Sequence, residues 1–166
     1  GWFRVDNGFV NFDFNGLCSN ENGWWYLTGG KIDFDYNGLA SNEHGWWQIH
    51  GGKVDFDYNG LTANENGWWR LASGKIDFDY NGFASNENGN WRVIGGKIDF
   101  NRTGVDFDGA SWWRVEGGKV NTNYNGIAQN EYGWWYIRHG KVVFDFTGWT
   151  KVSSGRYYVH NGCVNR

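Results

Sequence analysis

The chain has 166 residues and a formal net charge of −3, with 13 Trp, 9 Tyr, 12 Phe and 27 Gly but no Pro and no Met. This mild charge gives no basic footprint for nucleic acid or an anionic membrane, and no apolar run of about 18 residues is present to span a bilayer as a helix. Cys18 and Cys163 are too few for a disulfide framework and lack metal-ligand spacing.

One pattern runs the length of the chain. Phe3, Trp25, Trp47, Trp69, Trp91, Trp113, Trp135 and Tyr157 are spaced by 22 residues, and Gly8, Gly30, Gly52, Gly74, Gly96, Gly118, Gly140 and Gly162 keep the same period. Lysine follows six of those glycines, as Lys31, Lys53, Lys75, Lys97, Lys119 and Lys141. Such self-similarity signals a repeat architecture. It predicts one array over residues 1–166, with about eight units and no separate domains. The pattern is already under way at Gly1-Trp2, so the chain reads as a segment of a longer secreted protein.

Within a unit, Trp24-Trp25-Tyr26-Leu27-Thr28 leads to Gly29-Gly30 and then to Lys31-Ile32-Asp33-Phe34-Asp35-Tyr36. Glycine pairs supply the positive φ of tight hairpin turns, and Asn37-Gly38 reads as a second such turn. Ile32 to Tyr36 alternates apolar and polar residues, the mark of a half-buried strand. Leu39 to Gly45 reads as a loop to the next unit. Because a lone hairpin is marginal in water, the expected fold is an all-β solenoid or superhelix of stacked β-hairpin repeats.

Period two separates the paired tryptophans. The Leu27 position stays aliphatic as Ile49, Leu71, Val93, Val115, Ile137 and Val159, so Trp25, Leu27, Ile32 and Phe34 read as core. The Trp24 position becomes Trp46, Trp68, Asn90, Trp112, Trp134 and Arg156, a set that tolerates water. The first ring of each pair therefore reads as a partly exposed platform, either packing alone or packing while contacting a ligand. Trp24, Trp46, Trp68, Trp112 and Trp134 become the candidate stacking rings, with Tyr26 and Tyr136 beside them.

The remaining constellations carry no chemistry. Asp33 with Asp35, Asp55 with Asp57 and Asp77 with Asp79 recur too often for a glycosidase pair. They read as a solvated strand face able to bond sugar hydroxyls. Asp106-x-Asp108-Gly109 lacks the distal glutamate of a calcium loop. His44, His50, His139 and His160 fall at unrelated repeat positions. No catalytic residue, metal or cofactor is expected.

Trp24-Trp25-Tyr26-Leu27 followed by Gly30 resembles the Trp-Tyr-Tyr-Leu run of the cell-wall-binding repeats, which include the choline-binding repeats of Gram-positive surface proteins and the glucan-binding repeats. Gly148-Trp149, Gly155-Arg156-Tyr157-Tyr158-Val159 and Gly162 follow the same layout. The resemblance implies a secreted or surface-bound bacterial module that binds a cell-wall polymer or glucan without catalysis. It also implies ligands held between consecutive hairpins. In choline-binding repeats the Gly-Trp tryptophan joins the aromatic cage, but here its position is Leu39, Leu61, Phe83, Val105, Ile127 and only once Trp149. A glycan groove is therefore the first expectation. Choline on teichoic acid, near Trp149 and Tyr158, is the alternative, and a stalk or protein-adhesion array without a small ligand is the third.

Overall fold

The computed structural model describes residues 1–165, and they are all-β, with no helix among them. The repeating element is a three-stranded unit. In one copy, Gly38–Asn42 pairs antiparallel with Gly45–His50 across the turn Glu43-His44, and Asn42 lies opposite Gly45. The chain then reverses through Gly51-Gly52 into the short strand Lys53–Val54, which pairs with His50 and Ile49. Gly51 and Gly52 have φ of 53° and 76°, as expected for the turn. At Gly52 a Cβ would also collide with the carbonyl oxygen of Asp33 from the preceding repeat, so two independent constraints select glycine. At four other copies of the turn, Asn7, Ser73, His139 and Asn161 hold positive φ themselves.

Three expectations are corrected. Leu39 to Gly45 is no loop, because Gly38–Asn42 is a full strand of the main hairpin. Asn37-Gly38 makes no hairpin turn; instead the Asn37 side-chain oxygen accepts the Gly51 N–H at 3.0 Å and ties one repeat to the next. The expected strand from Ile32 to Tyr36 stops after Lys31–Ile32. There the Asp33 carboxylate accepts the Asp35 N–H at 3.1 Å and closes a turn that throws Phe34 outward. Phe34 is 51% exposed and so is not core.

The aliphatic positions behave as expected. Leu27, Ile49, Leu71, Val93, Val115, Ile137 and Val159 are all buried. Each such side chain is stabilised by about 1.5–3 kcal/mol on leaving water. Trp25, expected in the core, is half-buried.

Packing divides the chain into two compact units, Gly1–Tyr80 with Gly95–Lys97, and Asn81–Ile94 with Ile98–Arg166. The core of each is a series of small clusters that neighbouring repeats share. In the first unit, Leu39 packs with Leu71 and Ile76, and Ala40 with Ile49 and Val54. In the second, Val105 joins Ala128, Ile137 and Val142, while Ile127 joins Tyr136, Val159 and Val164. Backbone bonds follow the same logic: Gln48 N–H donates to Gly74 O at 2.7 Å, and Gly52 N–H to Tyr36 O at 2.9 Å. A single hairpin could complete neither the clusters nor these bonds. Before the first complete repeat, Val5–Asp6 and Phe9–Val10 form a short hairpin of their own. Cys18 and Cys163 are both free thiols.

Candidate functional site

The first tryptophan of each pair does two jobs. Trp24, Trp46, Trp68, Trp112 and Trp134 are all half-buried. The inner parts of four of them rest on a shared cluster: Trp24 on Ala40, Ile49 and Val54, Trp46 on Leu71 and Ile76, Trp112 on Val105 and Ala128, and Trp134 on Ile127 and Val159. In two of them the ring also meets an aromatic side chain of the following turn. Trp24 lies 5.6 Å from the His44 ring, and Trp112 lies 5.7 Å from Tyr132, which is 68% exposed.

The helper tyrosines separate from this row. Tyr26 is half-buried and stacks on Tyr36 at 3.8 Å. Tyr136 is only 8% exposed and packs on Phe146 at 4.9 Å, so it belongs to the core and offers little surface. The equivalent position is also buried at Gln48, where the side-chain amide donates to the Ile49 carbonyl. Trp149 and Tyr158 are exposed at 61% and 42%, with their rings 5.6 Å apart, and the Arg156 guanidinium lies 4.9 Å over Trp149.

The second tryptophan, read as plain core, is the centre of a recurrent motif. Asn64 Oδ1 accepts the Asn66 N–H at 2.9 Å and the Trp69 Nε1–H at 3.0 Å, so one side chain closes the turn and fixes the indole. Asn20, Asn42, Asn86 and Asn130 do the same for Trp25, Trp47, Trp91 and Trp135. Phe78 packs edge-on to Trp69 at 5.5 Å while remaining 48% exposed. The Lys97 ammonium lies 5.3 Å over the same indole. Equivalent lysines cover Trp25, Trp47, Trp91 and Trp113 at 5.2 to 5.7 Å. The period of asparagine, phenylalanine and lysine was visible in the sequence; only the register between repeats shows that they converge on one ring.

These parts meet in a cavity of about 310 Å³ lined by Trp46, Trp69, Phe78, Ile76, Asn64, Asn66 and Lys97. Its walls are apolar faces with two amides and one cation at the rim. Trp24 borders a larger cleft of about 590 Å³ with Ser19, Ser41, Asn42, Glu43 and Arg4. Flat aromatic walls with sparse polar groups are the ordinary construction of a small-molecule or glycan site.

Several carboxylates are committed elsewhere. Asp33 and Asp55 each cap their own turn, accepting from Asp35 N and Asp57 N at 3.1 Å. Asp106 is buried and pairs with Arg102, whose Nε donates at 2.8 Å, and with Arg92 at 3.5 Å. Asp108 accepts from Ala110 N at 2.8 Å, Ser111 N at 2.7 Å and Trp113 Nε1 at 2.7 Å. Burial alone would raise the Asp108 carboxyl, but these donors outweigh it and hold it below its ordinary value. The Asn121 side chain, and then Arg114, likewise lower Glu116. Asp106-x-Asp108 is thus an ion pair followed by a turn cap. Among the described residues no three His, Cys, Asp or Glu side chains group to hold a metal, and no helix is long and apolar enough to cross a membrane.

Stacked hairpins that hold a row of half-exposed rings beside amides define a repeat-built binding module. The chain belongs to the choline-binding repeat family: the family's repeat matches residues 13–33, 35–55, 57–77, 79–99, 103–121, 123–143 and 145–165. Those are seven complete copies, and the expected eighth is the partial hairpin at Val5–Val10. Among solved structures the chain is similar to choline-binding protein F from Streptococcus pneumoniae, at 18% identity and a TM-score of 0.38, covering 98% of this chain and 55% of that one. It is similar to CbpF in complex with ipratropium at 17% identity and a TM-score of 0.38, covering 98% and 57%. Alternansucrase in complex with isomaltononaose matches at 15% identity and a TM-score of 0.43, covering 100% of this chain and 13% of that one. The chain therefore spans about half the length of choline-binding protein F. No curated protein sequence matches it.

Proposed function

We propose that this chain is a non-catalytic module that binds a cell-wall polymer or an extracellular glucan and anchors an attached protein to a bacterial surface. The observation that carries this reading is the cavity where Trp46, Trp69 and Phe78 present ring faces beside Asn64, Asn66 and Lys97. Sugars offer C–H faces to such rings and hydroxyls to such amides. Repetition of the rings adds avidity to weak individual sites. In this reading Trp24, Trp46, Trp68, Trp112 and Trp134 are the stacking rings, and Tyr26 contributes an edge. Membership in the choline-binding repeat family supports a secreted or surface location.

The test is retention on insoluble glucans and on Gram-positive cell walls, with and without excess choline. Retention that choline does not reverse, and that falls at least tenfold for Asn66→Ala with the fold intact by circular dichroism, supports the glycan groove. Retention on nothing removes the reading in favour of a stalk. Elution by choline favours the second reading, for which the specific observation is the exposed ring pair Trp149 and Tyr158. Arg156 already lies over one face of Trp149, leaving less aromatic surface for a second cation there.

A further inference from the structure

Each of the first five complete repeats builds a clamp for a lysine from the repeat that follows. Lys75 lies opposite Trp47 in register, and its methylenes cross Gly45. A Cβ at Gly45 would stand 2.5 Å from Lys75 Cε, and at Gly67 2.5 Å from Lys97 Cε. Gly23 with Lys53 repeats the arrangement at 2.9 Å. Glycine leaves room for the alkyl chain to pass, and φ of 128° to 133° at Gly23, Gly45 and Gly67 favours it too; where Ser111 takes this position, Lys141 still lies 5.7 Å over Trp113. The ammonium then sits over the indole, where the ring quadrupole attracts it.

At the last site the lysine position is Cys163, which lies opposite Trp135 in register. The rest of the clamp is retained. Gly133 has a φ of 143°, Asn130 accepts the Trp135 indole N–H at 2.8 Å, and Phe144 meets Trp135 edge-on at 5.5 Å. No protein atom lies within 4 Å of the place a Cβ would take at Gly133. The cysteine side chain ends at its γ atom, so the path of the outer methylenes and the ammonium stays open. Among the described residues no cation lies over Trp135. Glu131 keeps an exposed carboxylate in the same turn.

We propose that the groove between Gly133 and Trp135 is a receptor for a linear primary alkylammonium, the end of a lysine side chain presented by a partner polypeptide. Its sister sites show the fit: a narrow unbranched chain across glycine and a primary ammonium over the indole. A bulky quaternary head does not match a groove whose width is set by a methylene chain. The inference does not rest on the glycan reading, since Trp135 lies outside the cavity lined by Trp46 and Trp69.

The experiment follows the indole N–H resonances of the 15N-labelled chain during titration with n-butylammonium, N-acetyl-lysine-N-methylamide and tetramethylammonium. The expected result is a saturable shift centred on Trp135 for the first two, in the millimolar range, and a several-fold weaker one for the third. Response to the lysine amide alone assigns part of the affinity to the partner's backbone and still supports the proposal. Cys163→Lys, which restores the sequence of the other repeats, should abolish the Trp135 shift, whereas Cys163→Ser should preserve it. An unchanged shift in Cys163→Lys, no selective response at Trp135, or a stronger response to tetramethylammonium would overturn the proposal.

Discussion

The repeat around Trp69 and the repeat around Trp113 reach the same geometry by different chemistry. In the first, Tyr58 O–H donates to the Leu61 carbonyl at 2.9 Å and accepts from Thr62 at 3.0 Å, and Asn64 caps the turn and the Trp69 indole. In the second, Arg102 and Asp106 stand at the Tyr58 and Thr62 positions and form an ion pair, and Asp108 replaces Asn64. Both indoles remain fixed, and each keeps its lysine. The polar groups at these positions are satisfied in both repeats, but by different partners. What changes is the sensitivity to charge.

The largest expected effect separates the two schemes. Asp106→Ala should cost about 3–5 kcal/mol, because it leaves Arg102 and Arg92 beside a buried site without their carboxylate. Combining it with Arg102→Tyr rewrites the pair as the Tyr124 and Ala128 found in the next repeat, and should recover most of the loss. Urea midpoints of the single and double variants measure this, and a merely additive double variant would break the comparison. Asn64→Ala and Asp108→Ala come next, at about 1–2 kcal/mol each, since each leaves turn amides and an indole without their acceptor. Tyr58→Phe, which removes the neutral hydrogen bonds to the Leu61 carbonyl and from Thr62, should cost about 1 kcal/mol.

The smallest effect at neutral pH is the one that sharpens the comparison in acid. Asp108 and Glu116 titrate below their ordinary values in the folded chain. Their stabilisation is complete above the unfolded carboxylate range of about 4 and is lost as pH falls through the lower folded values. Below pH about 4 the Trp113 indole should therefore exchange its hydrogen sooner than Trp69, which has the neutral Asn64 in place of Asp108. Asp108→Asn should bring the two exchange profiles together; continued divergence would place the acid sensitivity elsewhere.

Much of this fold is legible in the sequence because it rests on a strict period. The invariant aliphatic series from Leu27 to Val159 marks the core, and the glycine pairs mark the turns. The misreadings have one origin: local alternation is not decisive when side chains bond their own backbone. Asp33 ends a strand that the pattern of Ile32 to Tyr36 continues, and Phe34 is turned outward as a result. Ser41 and Asn42 look like loop residues, yet they finish a strand, because Asn42 serves the following turn and the Trp47 indole. At the candidate site the half-exposure of Trp24 and Trp46 is readable from what replaces them, Asn90 and Arg156. The burial of Tyr136 is not, since it depends on Phe146 arriving from the next turn. The lysine clamps are invisible for the same reason, being properties of register between repeats.

Those clamps also set where the chain can be cut and rejoined. Because Gly45 and Trp47 are closed by Lys75, and Gly67 and Trp69 by Lys97, the piece that is copied along the sequence and the piece that is structurally finished are out of phase. An excision of one whole period within the span of Gly23 to Lys97 brings each glycine to an equivalent lysine, so shortening or lengthening the array by such steps conserves these joints. Any other step leaves an alkyl chain facing the wrong backbone. The length of such an array changes without loss only in whole steps of its lysine spacing.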